Sequence, residues 1–146
     1  MKQLSVLAVA FTLACVITTA GAEEDMSTGN YLLKACKQSI ALYDHTNPVT
    51  SIGIAESLYC DGYLQGFNKG EYTVAVRAAY LKYGKKVKEK DVDEFLASCP
   101  PADVTLIQTE KVVVHYLENN PQSLHKKMYL LIPHALHEAW PCEGKK

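Results

Sequence analysis

The sequence predicts an all-α protein, a small bundle of about five helices stapled by two disulfides. Three observations carry this expectation. Apolar residues recur at helical spacing along the chain, while sustained alternation does not. Stretches rich in Pro, Gly and Asn cut that pattern into helix-sized pieces. Four cysteines, Cys36, Cys60, Cys99 and Cys142, follow an export-type start, and an even set of thiols in a small exported domain reads as a disulfide framework.

Ser27 or Thr28 can cap a first helix whose apolar positions include Tyr31, Leu32, Ala35, Cys36, Ile40 and Tyr43. The run His45-Thr46-Asn47-Pro48 ends it, since the residue before a proline is pushed out of the helical region. Thr50 or Ser51 begins a second helix, in which Leu58, Gly62, Gly66 and Gly70 fall four apart beside a face of Cys60, Tyr63, Leu64 and Phe67. Each interior glycine costs roughly 1 kcal/mol against alanine. The expected compensation is a neighbouring backbone packed close against the glycine strip.

A third helix is expected over Tyr72 to Tyr83, stopped by Gly84 and followed by the solvated connection Lys85 to Lys90. Asp91 and Glu94 have capping-box spacing for a short helix ending near Cys99, and Thr105 with Gln108 repeats that signal more strongly. The helix after Thr105 carries Leu106, Ile107, Val113, Val114 and Leu117 inward, with Glu110, Lys111 and Glu118 expected outward. Asn119-Asn120-Pro121 breaks the chain again. The last helix runs to about Ala139 with Met128, Leu131, Ile132, Ala135 and Ala139 on one stripe, and Pro133 inside it predicts a kink.

Before these elements, Lys2 and the apolar run Leu4 to Ile17 lead to Ala20-Gly21-Ala22, the layout of a cleaved signal peptide. Residues 1–22 are therefore read as a leader cleaved after Ala22, taking Cys15 with it, and 23–146 as one domain. The expected location is the periplasm, with no membrane segment after the leader is removed, because nothing beyond Ala22 approaches the length of a membrane-crossing helix. Of 146 residues, 15 are basic and 16 acidic, so no basic excess points to nucleic acid.

Candidate chemistry is sparse. His134, His137 and Glu138 could converge on one helix face as metal ligands. They lack the spacing in which glutamate directly follows the first histidine, and read better as solvated surface. No nucleophile elbow or phosphate loop occurs, so neither a catalytic residue nor a cofactor is expected. The nine tyrosines read mainly as helix packing with hydroxyls at the core edge.

An ordered series of segments goes further. It comprises Leu33 to Cys36, Cys60-Asp61-Gly62-Tyr63-Leu64-Gln65-Gly66, Cys99-Pro100-Pro101 and Val104 to Gln108. Tyr116-Leu117 with Pro121 follows, and the series closes on Ala135 to Cys142 with Trp140-Pro141-Cys142. In this the chain resembles the Rap/Tai family of type VI secretion immunity proteins from about Gly29 to Cys142. The resemblance implies a helical periplasmic protein, commonly a homodimer, that protects the producing cell from a cell-wall amidase. It does so by occluding that enzyme's cleft, a steric mechanism that needs no catalytic residue. The segment between Gly66 and Cys99 departs from the family by its length, and no effector-contacting residue is carried over.

Four cysteines allow three pairings. The expected one is Cys36–Cys60, joining the first helix to the second, with Cys99–Cys142 tying the start of the C-terminal helix pair to its end. For the partner surface, two loops qualify by composition: His45 to Ser51, and Gly84 to Lys90 with Asp91 behind it. The second is charged and lies in the departing segment, so Lys85, Lys86, Lys88 and Asp91 are the expected contacts to the secreted hydrolase. Two other classes remain. One is a periplasmic chaperone or stress protein holding unfolded clients on its apolar faces, and the other is a small enzyme or metal protein built on His134, His137 and Glu138.

Overall fold

A computed structural model describes residues 24–142. The expected leader at 1–22 lies outside the described residues. Among these, five α-helices follow one another: α1 (Gly29–Tyr43), α2 (Ser51–Tyr83), α3 (Glu89–Asp93), α4 (Leu106–Asn119) and α5 (Met128–Ala139). Short 3₁₀ turns occupy Gly84–Lys86 and Pro121–Ser123.

The helix starts follow side-chain chemistry. Thr28 caps α1 and Thr50 caps α2, where the Gly53 N–H donates to the Thr50 hydroxyl at 3.0 Å. At α4 the Gln108 N–H donates to the Thr105 hydroxyl at 3.3 Å, and the Thr105 N–H donates to Gln108 Oε1 at 2.8 Å, a reciprocal box. Helix α1 stops before His45, which takes a φ of 54° in the left-handed region ahead of Asn47-Pro48.

Apolar faces then build two separate cores. The main one joins α1 (Leu32, Ala35), α2 (Cys60, Leu64), α4 (Val113, Leu117) and α5 (Met128, Ile132). Burying a side chain such as Leu32, Leu64 or Ile132 completely stabilises the fold by about 1.5–3 kcal/mol each. Helix α1 lies chiefly along α2 and also touches α4, which in turn holds α5. Tyr31 meets Tyr59 edge-to-face at 4.9 Å, and both pack on the margin of this core. The second core is small: Ala75 and Ala79 of α2 with Val92 of α3, flanked by Val76, Val87, Phe95 and Leu96.

One glycine is demanded by close approach. A Cβ on Gly29 would stand 2.5 Å from Leu131 Cδ1 and 3.1 Å from the Leu124 carbonyl oxygen. Around it the Gly29 N–H donates to the Lys126 carbonyl and the Met128 N–H to the Ser27 carbonyl, both at 2.9 Å. These bonds fasten the chain ahead of α1 to the start of α5.

Five expectations are corrected. The second and third helices are one continuous helix of 33 residues, about 50 Å long at 1.5 Å per residue. The glycine strip is not a packing surface, because a Cβ at Gly62, Gly66 or Gly70 would meet nothing within 4 Å. Helix α3 sits earlier than Asp91 and Glu94 suggested, since the Lys88 N–H donates to the Asp91 carboxylate at 2.8 Å and Glu94 falls at the helix end. Glu110 points inward, only 1% exposed, while Ala139 is exposed and Leu136 takes its place in the core.

Candidate functional site

Both expected disulfides are present. Cys36–Cys60 ties α1 to α2 across 24 residues inside the main core, and Cys99–Cys142 closes 43 residues by joining the segment after α3 to the chain after α5. Beside the second, the Cys99 N–H donates to the Trp140 carbonyl at 2.9 Å. The C-terminal end is therefore fastened to the α3 segment.

That anchoring positions the lysine segment. Gly84 ends α2 with a φ of 65°, a conformation that glycine adopts without penalty, and turns the chain out of the helix. Lys85, Lys86 and Lys88 are exposed on the turn that follows, while Asp91 is half-buried and committed to the Lys88 amide. Glu94 grips both Lys82 and the Tyr83 hydroxyl, clamping the end of α2 onto α3. The three lysines thus stand on a braced tip of the molecule, and Asp91 shapes that tip from beneath. Tyr72, Val74, Tyr80 and Leu81 of the adjoining half of α2 are also exposed. The other loop, His45 to Ser51, is exposed along its whole length beyond the opposite end of α2.

The histidines do not converge. His134 and Glu138 are exposed, and His137 donates from Nδ1 to the Ala97 carbonyl at 2.8 Å. His137 is thereby a tie between α5 and the α3 segment. Among the described residues, the cluster with metal-ligand proximity lies elsewhere, at Cys60, Asp61 and Glu110.

That cluster is what sequence reasoning missed. Ser39 stands one turn after Cys36 and Asp61 directly follows Cys60, so the first disulfide brings the two side chains together. The Ser39 hydroxyl donates to Asp61 Oδ1 at 2.9 Å. Glu110 reaches in from α4 between half-buried Leu106 and the buried pair Val113–Val114. The carboxylate oxygens of Asp61 and Glu110 lie within 4.8 Å, and a cleft of about 540 Å³ opens beside them against Leu42, Leu106 and Ile107. Burial first, then its bond and charge interaction with Asp61, push the Glu110 carboxyl up to about 7, with Ser39 opposing the shift. A signal for this inward turn was present: 106, 110, 113, 114 and 117 share one helical face. The charge of Glu110 had outweighed its position.

The family model of the Rap1a immunity proteins matches residues 28–142. A search of curated proteins and one of solved structures return no match. The matched span takes in every described α-helix and both disulfides. The chain belongs to the Rap1a family of immunity proteins.

Proposed function

We propose that this immunity protein acts in the periplasm, where it binds a peptidoglycan amidase delivered by type VI secretion and blocks its cleft. The family match across the whole helical scaffold is the observation that carries the reading. An inhibitor of this kind works by shape, holding a projecting element in the enzyme's cleft on a scaffold too rigid to yield. The tip formed by Lys85, Lys86 and Lys88 suits that task, being exposed, basic and braced from behind by Glu94 and the small core. Asp91 supports the tip through the Lys88 amide. A homodimer accompanies this reading.

The test combines the purified chain with a peptidoglycan amidase delivered by type VI secretion in the same strain. The expected result is stoichiometric loss of peptidoglycan hydrolysis and a stable complex in size-exclusion chromatography, with light scattering reporting a dimer for the free protein. An amidase that keeps full activity beside an excess of this chain would sink the proposal.

A further inference from the structure

Three polar side chains from three helices meet in the cleft between α1, α2 and α4, and their arrangement leaves one oxygen without a partner. Ser39 is 5% exposed and Glu110 1% exposed, so both are held away from bulk water. Glu110 Oε2 is buried and accepts no hydrogen bond. An oxygen in that state costs roughly 1–3 kcal/mol in lost solvation, more if charged, and such groups call for an explanation. No cation offers one among the described residues. The adjacent Lys111 turns to Asp44, 3.4 Å away, and neither Asp61 nor Glu110 takes part in an ion pair.

We propose that Ser39, Asp61 and Glu110 form a binding site for a single divalent cation of the oxygen-preferring class, calcium, magnesium or manganese. The donor set is two carboxylates and a hydroxyl. The Cys60 sulfur nearby is already bonded to Cys36 and offers no thiolate, which disfavours the softer metals. A proton shared between the carboxylates engages one oxygen of each and leaves Glu110 Oε2 orphaned. A cation held by both Glu110 oxygens satisfies it. Hard cations of this class take six or more oxygens, and the adjoining cleft of about 540 Å³ has room for the waters that complete the shell. The bound ion would clamp α1, α2 and α4 beside the first disulfide.

The full, disulfide-intact chain is stripped with chelator, dialysed, and titrated with manganese followed by electron paramagnetic resonance. Calcium and magnesium are followed by calorimetry and thermal denaturation. The expected result is one ion per chain at submillimolar affinity, with a rise in melting temperature. Glu110→Gln and Asp61→Asn should each lose at least tenfold in affinity, with unchanged far-ultraviolet circular dichroism showing that they fold. Ser39→Ala should weaken binding less. A wild-type chain that takes up none of the three ions at millimolar concentration overturns the proposal, whatever the variants do. So does binding of equal strength in wild type and both carboxylate variants, which would place the ion on the outer surface.

Discussion

Two glycine-to-alanine substitutions should move stability in opposite directions. At Gly66 the new methyl group meets nothing within 4 Å, so nothing offsets the ordinary gain of alanine over glycine inside a helix. That gain is about 1 kcal/mol, drawn mostly from the reduced freedom of the unfolded chain. Gly62 and Gly70 stand in the same open condition, so the triple alanine variant should gain about 3 kcal/mol if the effects add. At Gly29 the same methyl group would sit 2.5 Å from Leu131 Cδ1, 3.1 Å from the Leu124 carbonyl oxygen and 3.2 Å from the Leu124 Cα. The Leu131 tip can swing aside, but the Leu124 backbone is held by the Asn30 N–H, which donates to its carbonyl at 2.9 Å. Gly29→Ala should therefore cost about 1–3 kcal/mol, the usual range for overpacking. Urea denaturation followed by far-ultraviolet circular dichroism, with disulfides intact and protein dilute, reads both effects. For a chain of this size each kcal/mol moves the melting temperature by about 4 °C. A Gly66→Ala chain no more stable than wild type would mean that the strip is covered in solution. A neutral Gly29→Ala would mean that the junction of α1 and α5 is loose.

Other outcomes follow from the same geometry. Replacing Cys99 and Cys142 by alanine should lower stability by up to about 4 kcal/mol for a closed loop of 43 residues in the chain-entropy treatment. An unchanged denaturation midpoint would show that the hydrogen bonds around Trp140 suffice. Glu110, held at about 7 in the fold against an ordinary value of 4.5, binds its proton more tightly folded than unfolded. In chelator, its contribution is therefore full below about pH 4.5 and falls as pH rises to about 7, by up to roughly 3 kcal/mol. Glu110→Gln should remove that decline, and a wild-type profile as flat as the variant's would contradict the assignment. If the proposed amidase inhibition holds, replacing Lys85, Lys86 and Lys88 with alanine should weaken it while leaving the melting temperature unchanged; full inhibition by that variant removes the tip from the interface.

Helix starts were legible because caps are local chemistry. Thr50 and Thr105 each need a side-chain oxygen within three residues of the amide it accepts from, and sequence displays that spacing directly. The disulfide pairing was legible once the helices were ordered, since each bridge joins elements that must lie side by side. The union of the second and third helices was not. Gly66 and Gly70 lower helix propensity, yet no proline interrupts the stretch from Gly66 to Tyr72, and the distal half gains a second apolar face at Ala75 and Ala79. Burial on both halves outweighs a few kcal/mol of glycine cost. Glu110 was misjudged for the opposite reason: its residue type argued for solvent while its register placed it among Leu106, Val113 and Leu117. The Ser39–Asp61–Glu110 meeting depends on contacts from 22 to 71 positions apart, which no local window contains.

Helix α2 is a single beam shared by two cores of unequal size. Its first half is bound into the main bundle by the Cys36–Cys60 bridge, while its second half carries Ala75 and Ala79 out to α3 and the lysine tip. Besides that helix, the two ends are joined by the Cys99–Cys142 bridge, the Cys99–Trp140 backbone bond and the His137–Ala97 bond. A substitution in the small cluster has few buried neighbours to disturb, whereas one at Leu32 or Ile132 must be absorbed by four helices at once. Such a body can exchange the chemistry of its distal end while its interior stays as it is. Under the proposed function, the tip that meets the enzyme is mounted at the far end of this lever instead of being woven into the bundle.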